Sequence, residues 1–149
     1  MRSNYVSQRD LFTQIGWEAF LSNPNYSNTC AIRVSMAFVK SGINIVPASH
    51  RILQGDYAGR GVEVSMRRLA DLLARNNYLG KYEAYTPATA TNGIGARKGI
   101  VAFNNIPGYR GGGHIDLVLG AADAAQCASA CYYQSETIWF WPLQTSRTA

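Results

Sequence analysis

The spacing of apolar residues changes partway along the chain, and this change constrains the fold more than any other feature. In the first half, apolar residues recur every three or four positions, which predicts amphipathic helices. The predicted helices cover residues 7–21, 30–40 and 65–76.

The second half holds short runs of apolar and β-branched residues, bounded by Gly, Pro or Asn, which predict strands. The predicted strands cover residues 82–85, 99–103, 114–119 and 137–141. Helices that precede strands are typical of the α+β class, so we expect N-terminal helices packed on an antiparallel sheet.

Length and composition indicate one folded domain over residues 1–149, because no repeat or linker divides the chain. Hydrophobic residues make up 47% of the sequence, which is normal for a globular protein, and charged residues make up only 15%, which excludes an extended disordered chain. No run approaches the roughly 20 apolar residues of a membrane helix. Asp10 and Glu18 interrupt the first thirty residues, and no apolar h-region is present, so we expect export without a cleaved signal peptide.

The net charge of +5 raises the question of a polyanionic partner. The basic residues are dispersed, and the adjacent pairs are Arg67-Arg68 and Arg97-Lys98. No predicted helix carries a basic stripe with interleaved aromatic residues, so the sequence does not predict nucleic-acid binding. A non-catalytic basic module that docks on an anionic wall stays open as an alternative.

The cysteine count is three, and two of these cysteines are close together in sequence. Cys127 and Cys131 are either two buried thiols or a short-range disulfide, which would indicate an oxidising compartment. The only histidines are His50 and His114, too few to complete a zinc site with these cysteines. The sequence therefore predicts no metal and no cofactor.

Cys30 is a candidate nucleophile because it begins a predicted helix, with Thr29 as the N-cap. Unpaired backbone N–H groups and the helix dipole favour a thiolate at that position, and Arg33 adds positive charge if it points the same way. The Cys30 N–H and the Asn28 side-chain amide are candidate oxyanion donors. The alternative is a small buried apolar residue at a helix start.

His114 is the candidate general base. It follows three glycines and opens a strongly apolar strand, and these glycines allow close approach of a substrate backbone. A cysteine at a helix start together with a later strand histidine is the layout of papain-like sites. His50, in the irregular region before residue 62, is the competing histidine.

Residues 28–37 read N-T-C-A-I-R-V-S-M-A. This stretch resembles the nucleophile motif of the family 4 type VI secretion amidase effectors, N-x-C-x-I-R-M-S-x-x, with Val34 where Met is usual. Residues 99–101 and 113–117 match in order, and residues 139–143 are similar to the family's terminal strand. The resemblance extends from about residue 20 to residue 143.

The resemblance implies a papain-like fold shared with NlpC/P60 peptidases. It implies cleavage of the peptidoglycan stem peptide between D-glutamate and meso-diaminopimelate, with Cys30 and His114 as catalytic residues. It also implies injection by the type VI secretion machinery into the periplasm of a rival cell, and a cognate immunity protein that blocks the active-site cleft. The spacing of Cys127 and Cys131 resembles a short disulfide pair of that family.

The resemblance implies that the third catalytic residue is an Asp between the paired cysteines. This chain has Ser129 there instead. If residues 114–119 form a hairpin with the segment that follows, Ser129 faces His114 and accepts its N–H, without a carboxylate's charge. Ser129→Asp should then raise activity. Asp123 orients His114 instead if the two strands pair in a different register. Asp116, two residues from His114 on the same strand face, is expected to be poorly aimed and ranks behind both.

Three function classes follow from these residues. The leading one is a cysteine hydrolase of the cell wall. The second is a Cys–His transacylase or glutamine deamidase on the same fold, which uses the same residues and differs in its products. The third is the non-catalytic wall-binding module, which predicts that Cys30→Ala and His114→Ala have no effect.

Overall fold

A computed structural model of the chain describes residues 6–108, 113–120, 127–128 and 130–143. The chain falls into two compact units that divide between Ser65 and Met66. We call them the N-terminal unit and the C-terminal unit, and each is described by itself. None of the helices formed by the described residues has the length and apolar character needed to cross a membrane.

The N-terminal unit contains two α-helices and a small antiparallel ribbon. These elements are α1 (Gln8–Ile15), α2 (Cys30–Lys40), β1 (His50–Arg51) and β2 (Gly61–Val62). Strand β1 pairs with β2, with His50 opposite Val62. The apolar faces of the helices and the ribbon pack together and form one hydrophobic core. Its buried residues are Leu11, Phe12, Ile15, Trp17, Ile32, Met36, Val39, Ile52 and Val62.

Helix α1 is shorter than the apolar spacing predicts. It begins after Ser7, whose side chain caps the N–H of Asp10, and it ends at Gly16. Gly16 adopts a left-handed conformation with φ of 82°, and its N–H bonds to the Phe12 carbonyl. The predicted helix over residues 7–21 therefore stops early, because the glycine C-cap ends the helix while the apolar pattern continues through a short 3₁₀ turn at Glu18–Phe20.

Helix α2 has the predicted bounds. Thr29 is the N-cap residue and Ser41 the C-cap residue. Eight of its eleven residues are buried, so the helix lies inside the molecule with Cys30 at its first position. Burial on this scale fixes the helix axis and, with it, the place of its N-terminal end.

The C-terminal unit is a four-stranded antiparallel sheet with two helices. The elements are α3 (Met66–Leu73), β3 (Glu83–Tyr85), α4 (Ala90–Ile94), β4 (Lys98–Asn104), β5 (Gly113–Leu119) and β6 (Thr137–Pro142). The strand order is β3-β6-β4-β5. The α+β class is confirmed, and the end of each predicted strand lies within one residue of the observed end. Helix α4 was not predicted.

Strand β4 is central, and it fixes the register of the strand that carries the candidate base. It pairs with β6 on one side and with β5 on the other, where Phe103 lies opposite His114. Every residue of β4 after Lys98 is buried. The core beside it consists of Ala90, Ile94, Val101, Phe103, Ile106, Val118, Cys127, Ile138 and Phe140.

A charged cluster joins the edge strand β3 to the loop before β4. Arg97 forms a bidentate salt bridge with Glu83, with Nη1 2.8 Å from Oε2 and Nη2 2.6 Å from Oε1. The Tyr85 hydroxyl donates to the same carboxylate. The hydrogen bond from Arg97 is the main reason that the pKa of Glu83 falls from its ordinary value of 4.5 to about 2.

We expect Glu83→Gln to reduce the pH dependence of stability in acid. A carboxyl with a lowered pKa in the folded state stabilises the fold above its unfolded pKa, and this contribution disappears as the pH falls from about 4.5 to about 2. Urea unfolding should show a modest difference between wild type and variant at pH 7, because the Arg97 and Glu83 side chains are 41% and 38% exposed and solvent screens their charges, and a smaller difference at pH 2.5. Glu136→Gln, which removes a carboxylate bonded to the Asn105 amide, is the matched control. Equal behaviour of the two variants would contradict the prediction.

Candidate active site

Cys30 occupies the first position of α2, as predicted from the Thr29 cap. Its thiol is free of any disulfide, and the residue is only 7% exposed. The N-terminal end of a helix of this length is the positive end of the helix dipole. The position therefore has the electrostatic character that favours a cysteine nucleophile.

The candidate oxyanion donors contact each other in this structure. The Cys30 N–H donates to Asn28 Oδ1 at 3.2 Å. The Asn28 side chain thus presents its oxygen to the helix start. A substrate oxygen that uses the Cys30 N–H would replace this Asn28 oxygen, and the pairing of the two groups was not expected from the sequence.

Arg33 points toward the N-terminal end of α2, as the sequence analysis required for an electrostatic role. Its Nε donates to Thr29 Oγ1 at 2.9 Å and its Nη1 donates to the Val6 carbonyl at 2.7 Å. The contact also explains why Thr29 makes no side-chain capping bond to the helix, because its hydroxyl accepts from Arg33. The guanidinium of Arg33, three residues after Cys30 in sequence, is therefore held at the same helix end.

His114 is the second residue of β5, and it is paired with a carboxylate. Its Nε2 lies 2.9 Å from Asp116 Oδ2, and the two side chains are only 8% and 7% exposed. The Phe103 ring lies nearly parallel to the imidazole at 6.2 Å, and the Tyr132 ring meets it edge-on at 5.1 Å. Aromatic packing and the carboxylate together fix the plane of the imidazole.

Asp116 is aimed at His114 by backbone hydrogen bonds. Its Oδ1 accepts from the Leu117 N–H at 2.8 Å, and its Oδ2 accepts from the Ala130 N–H at 3.0 Å. The expectation that Asp116 is poorly aimed is therefore wrong, because these two donors turn the carboxylate along the strand toward the imidazole.

The other two candidates for the third role, Ser129 and Asp123, lie outside the described residues. The register beside them differs from the expected one. In the structure, Val118 is bridged to Cys127. A hairpin with Ser129 opposite His114 would instead pair Val118 with the residue two positions before Cys127. The assignment of Ser129 or Asp123 stays a prediction, while Asp116 is the described carboxylate that contacts the base.

Cys127 and Cys131 form a disulfide, which decides between the alternatives that the sequence left open. Cys127 belongs to the core of the C-terminal unit, and Cys131 packs against the same core. Among the described residues, no group of three His, Cys, Asp or Glu side chains is arranged to hold a metal ion.

Tyr133 is a further titratable group of this region. Burial raises its pKa to about 12, and the negative charge of Asp116 contributes to the rise. The phenol therefore keeps its proton throughout the neutral range and adds no second charge near Asp116. The sequence analysis did not identify this residue, because its effect depends on burial.

A family model described as type VI secretion system amidase effector protein 4, Tae4, matches residues 26–141. The chain belongs to this family. The family resemblance read from the motifs is therefore confirmed, and so is the interpretation as a peptidoglycan amidase effector rather than a non-catalytic wall-binding module. No curated protein matches the chain in sequence.

Solved Tae4 structures are similar to this chain in fold. The Tae4–Tai4 effector–immunity complex from Enterobacter cloacae is 19% identical, with a TM-score of 0.73 over 96% of this chain and 92% of that chain. Free Tae4 from Enterobacter cloacae is 18% identical, with a TM-score of 0.72 over 96% and 91%. Tae4 from Salmonella typhimurium, in complex with Tai4 from Enterobacter cloacae, is 18% identical, with a TM-score of 0.73 over 96% and 93%. The papain-like, NlpC/P60-like α+β fold is confirmed.

The Tae4 nucleophile motif contains a serine whose role here is structural. Ser35 is fully buried on α2, where its hydroxyl donates to the Glu63 carbonyl at 3.2 Å and accepts from the Glu63 N–H at 3.1 Å. These bonds tie α2 to the chain just after β2. Ser35 therefore anchors the helix that begins with Cys30.

His50, the competing histidine, is part of a hydrogen-bonded chain within the N-terminal unit. Its Nε2 lies 2.9 Å from the Tyr26 hydroxyl and its Nδ1 lies 2.9 Å from Ser49 Oγ. The rings of Trp17 and Phe20 also contact it. The partners of both His50 ring nitrogens are hydroxyls, whereas His114 contacts a carboxylate, so His114 is the better supported base.

Gly113 serves internal packing in the part of the chain that the structure describes. A Cβ atom at this position would collide with the Phe103 carbonyl oxygen and lie 3.0 Å from Cε of Met66 on α3. Because the side chain is absent, β5 can approach β4 and α3. Room for a substrate backbone at this glycine stays a prediction. The two glycines before it lie outside the described residues.

Proposed function

We propose that this Tae4 family member hydrolyses the bond between the γ-carbonyl of D-glutamate and the amine of meso-diaminopimelate in the peptidoglycan stem. Cys30 is the nucleophile, His114 is the general base and acid, and Asp116 orients His114. The family gives the substrate class, and the residues of this chain give the roles.

The observation that carries the proposal is the buried contact between His114 Nε2 and Asp116 Oδ2. An ionised carboxylate accepts hydrogen bonds, so Nε2 holds the proton of the neutral imidazole. Nδ1 is then the basic nitrogen that exchanges protons in the reaction. This division of the two ring nitrogens is what a cysteine–histidine hydrolase requires.

Acylation begins when His114 Nδ1 takes the proton of the Cys30 thiol. The thiolate attacks the γ-carbonyl carbon of D-glutamate, and a tetrahedral oxyanion forms. His114 gives the proton to the departing diaminopimelate nitrogen, the carbon–nitrogen bond breaks, and a thioester to Cys30 is left. Asp116 stabilises the imidazolium in this step without taking its proton.

Deacylation uses the same groups in the reverse order. A water molecule gives a proton to His114 Nδ1 and attacks the thioester carbonyl. The carbon–sulfur bond breaks, the Cys30 sulfur regains a proton from His114, and D-glutamate leaves with a free γ-carboxylate.

Delivery and partners follow the family. We propose that type VI secretion carries the chain into the periplasm of a target cell, where the peptidoglycan lies. The Cys127–Cys131 disulfide is consistent with an oxidising compartment. Since similar Tae4 proteins are solved in complex with Tai4, we propose that a cognate immunity protein blocks the active-site cleft of this chain. The family match extends over residues of both units, which supports one amidase domain over residues 1–149.

Digestion of purified meso-diaminopimelate peptidoglycan, with the fragments identified by mass spectrometry, tests the proposed reaction. We expect stem peptides with a new γ-carboxylate on D-glutamate and a new free amine on diaminopimelate. Ammonia release or a new cross-link would assign the Cys–His pair to deamidation or transacylation instead. Intact stems after treatment with folded protein would contradict the proposal.

A further inference from the structure

The Cys127–Cys131 disulfide closes a short segment of the chain, and the first two residues of this segment lie along β5. Cys127 is bridged to Val118, and the Ala128 N–H donates to the Leu117 carbonyl at 2.9 Å. Cys127 and Ala128 therefore continue the antiparallel pairing on the side of β5 away from β4, and the disulfide joins Cys127 to Cys131, four positions later.

Ala130 lies inside this closed segment and contacts the candidate site directly. Its N–H donates to Asp116 Oδ2 at 3.0 Å. The same oxygen receives His114 Nε2 at 2.9 Å. Asp116 Oδ2 is thus shared between the imidazole and a backbone donor whose position depends on the disulfide.

The contact of Asp116 Oδ1 does not depend on the disulfide. Its Oδ1 is held by the N–H of Leu117, a residue of the same strand. Cys127 is 2% exposed and stays in the core as a thiol, because a free cysteine packs as a small apolar residue. Opening the disulfide would therefore release the Ala130 donor while the sheet and its core are retained.

We propose that the disulfide is a positioning element of the active site, which acts through the Ala130 N–H on Asp116 and through Asp116 on His114. This inference rests on the proposed function of these residues. Under this proposal, the amidase is more active when Cys127 and Cys131 are oxidised than when they are reduced. The chain would be held at low activity in a reducing cytoplasm and reach full activity in an oxidising periplasm.

The redox step is an exchange with a disulfide of the surroundings. The thiols of Cys127 and Cys131 lose two protons and two electrons in total, and a sulfur–sulfur bond forms between them. The co-reactant is an oxidised thiol–disulfide oxidoreductase or glutathione disulfide, which takes up the electrons and becomes a dithiol or two thiols. Cys30 is the third cysteine, and it stays a thiol in both states.

The test compares the oxidised chain with the chain reduced by tris(2-carboxyethyl)phosphine, on meso-diaminopimelate peptidoglycan. Alkylation and mass spectrometry should count one free thiol before reduction and three after it. We expect the cleavage rate to fall by about 100-fold on reduction, the effect of a misplaced catalytic group. Circular dichroism should show that the reduced chain keeps its fold.

Two variants separate positioning from general stabilisation. Cys127→Ala/Cys131→Ala should cleave at the rate of the reduced wild type and be insensitive to the reductant. Asp116→Asn should lose most of its response to reduction, since the coupling passes through the carboxylate. A residual rate in Asp116→Asn that still falls 100-fold on reduction would assign the disulfide a purely structural role and overturn the proposal.

A readout without turnover keeps this inference separate from the proposed reaction. The imidazole proton shared with Asp116 should give a low-field NMR signal in the oxidised chain, absent in His114→Gln and lost on reduction. An unchanged signal, or an unchanged rate of the reduced, unalkylated chain when a parallel aliquot shows three thiols, would overturn the proposal and leave the proposed function intact. Absence of cleavage in both redox states, with the expected loss of signal, would contradict the proposed function alone.

Discussion

Replacing Cys30 by alanine is expected to abolish cleavage of the stem peptide. Loss of the nucleophile in a comparable hydrolase lowers the turnover number by about 10⁶-fold, and the remaining rate comes from binding and oxyanion stabilisation. Alanine is a strong helix former and fits the first position of α2, so we expect the variant to fold. Muropeptide release followed by chromatography measures the effect.

Two further measurements make the Cys30 result specific. Cys30→Ser keeps a nucleophilic atom of similar size but lower acidity, and it should also be nearly inactive. Alkylation of the oxidised wild type with iodoacetamide should modify Cys30, the free cysteine, and stop cleavage in proportion to the label. A Cys30→Ala protein that cleaves at the wild-type rate would remove Cys30 from the mechanism.

Asp116→Asn is expected to lower the turnover number by about 10⁴-fold, as when the orienting carboxylate of a Ser-His-Asp triad becomes an amide. The amide keeps the size of the side chain but removes the charge that stabilises the imidazolium. Because the substrate does not contact Asp116 in this mechanism, kcat should fall while KM stays nearly constant. Asp116→Glu should recover part of the activity if the carboxylate reaches His114.

Substitutions at the other two candidate positions are the matched controls. Ser129→Ala and Asp123→Asn should leave the rate close to that of the wild type, and Ser129→Asp should give no gain while Asp116 holds the imidazole. An increase in turnover for Ser129→Asp would instead support the role of residue 129 that the family resemblance implied. Equal losses in Asp116→Asn and Ser129→Ala would show that neither residue alone orients the base.

The fold was predictable where local signals and burial agree. Helix α2 has its predicted bounds because a capping residue, an apolar face and a C-terminal Ser-Gly pair indicate the same segment. Helix α1 was predicted too long because Gly16 ends it within a continuing apolar pattern. Helix α4 was missed because its five residues include Asn92 and Gly93, which have weak helix propensity, and it is retained by burial of Ala90 and Ile94.

The candidate site was predictable in part, for a physical reason. Cys30 and His114 were indicated by their local positions, one at a helix start and one at a strand start. The aim of the Asp116 carboxylate depends on the Ala130 N–H, which comes from a segment fourteen residues away. A side-chain direction set by such a tertiary contact leaves no local signal, so an ideal strand predicted the wrong aim for Asp116.

The spacing of His114 and Asp116 also bears on how the site can evolve. His114 and Asp116 are separated by one residue and are encoded within three consecutive codons, so the proposed base and its carboxylate are inherited together. Insertions, deletions or recombination after β5 leave their covalent spacing unchanged. In the proposed mechanism the carboxylate comes from within β5, so that mechanism does not need an aspartate between the paired cysteines.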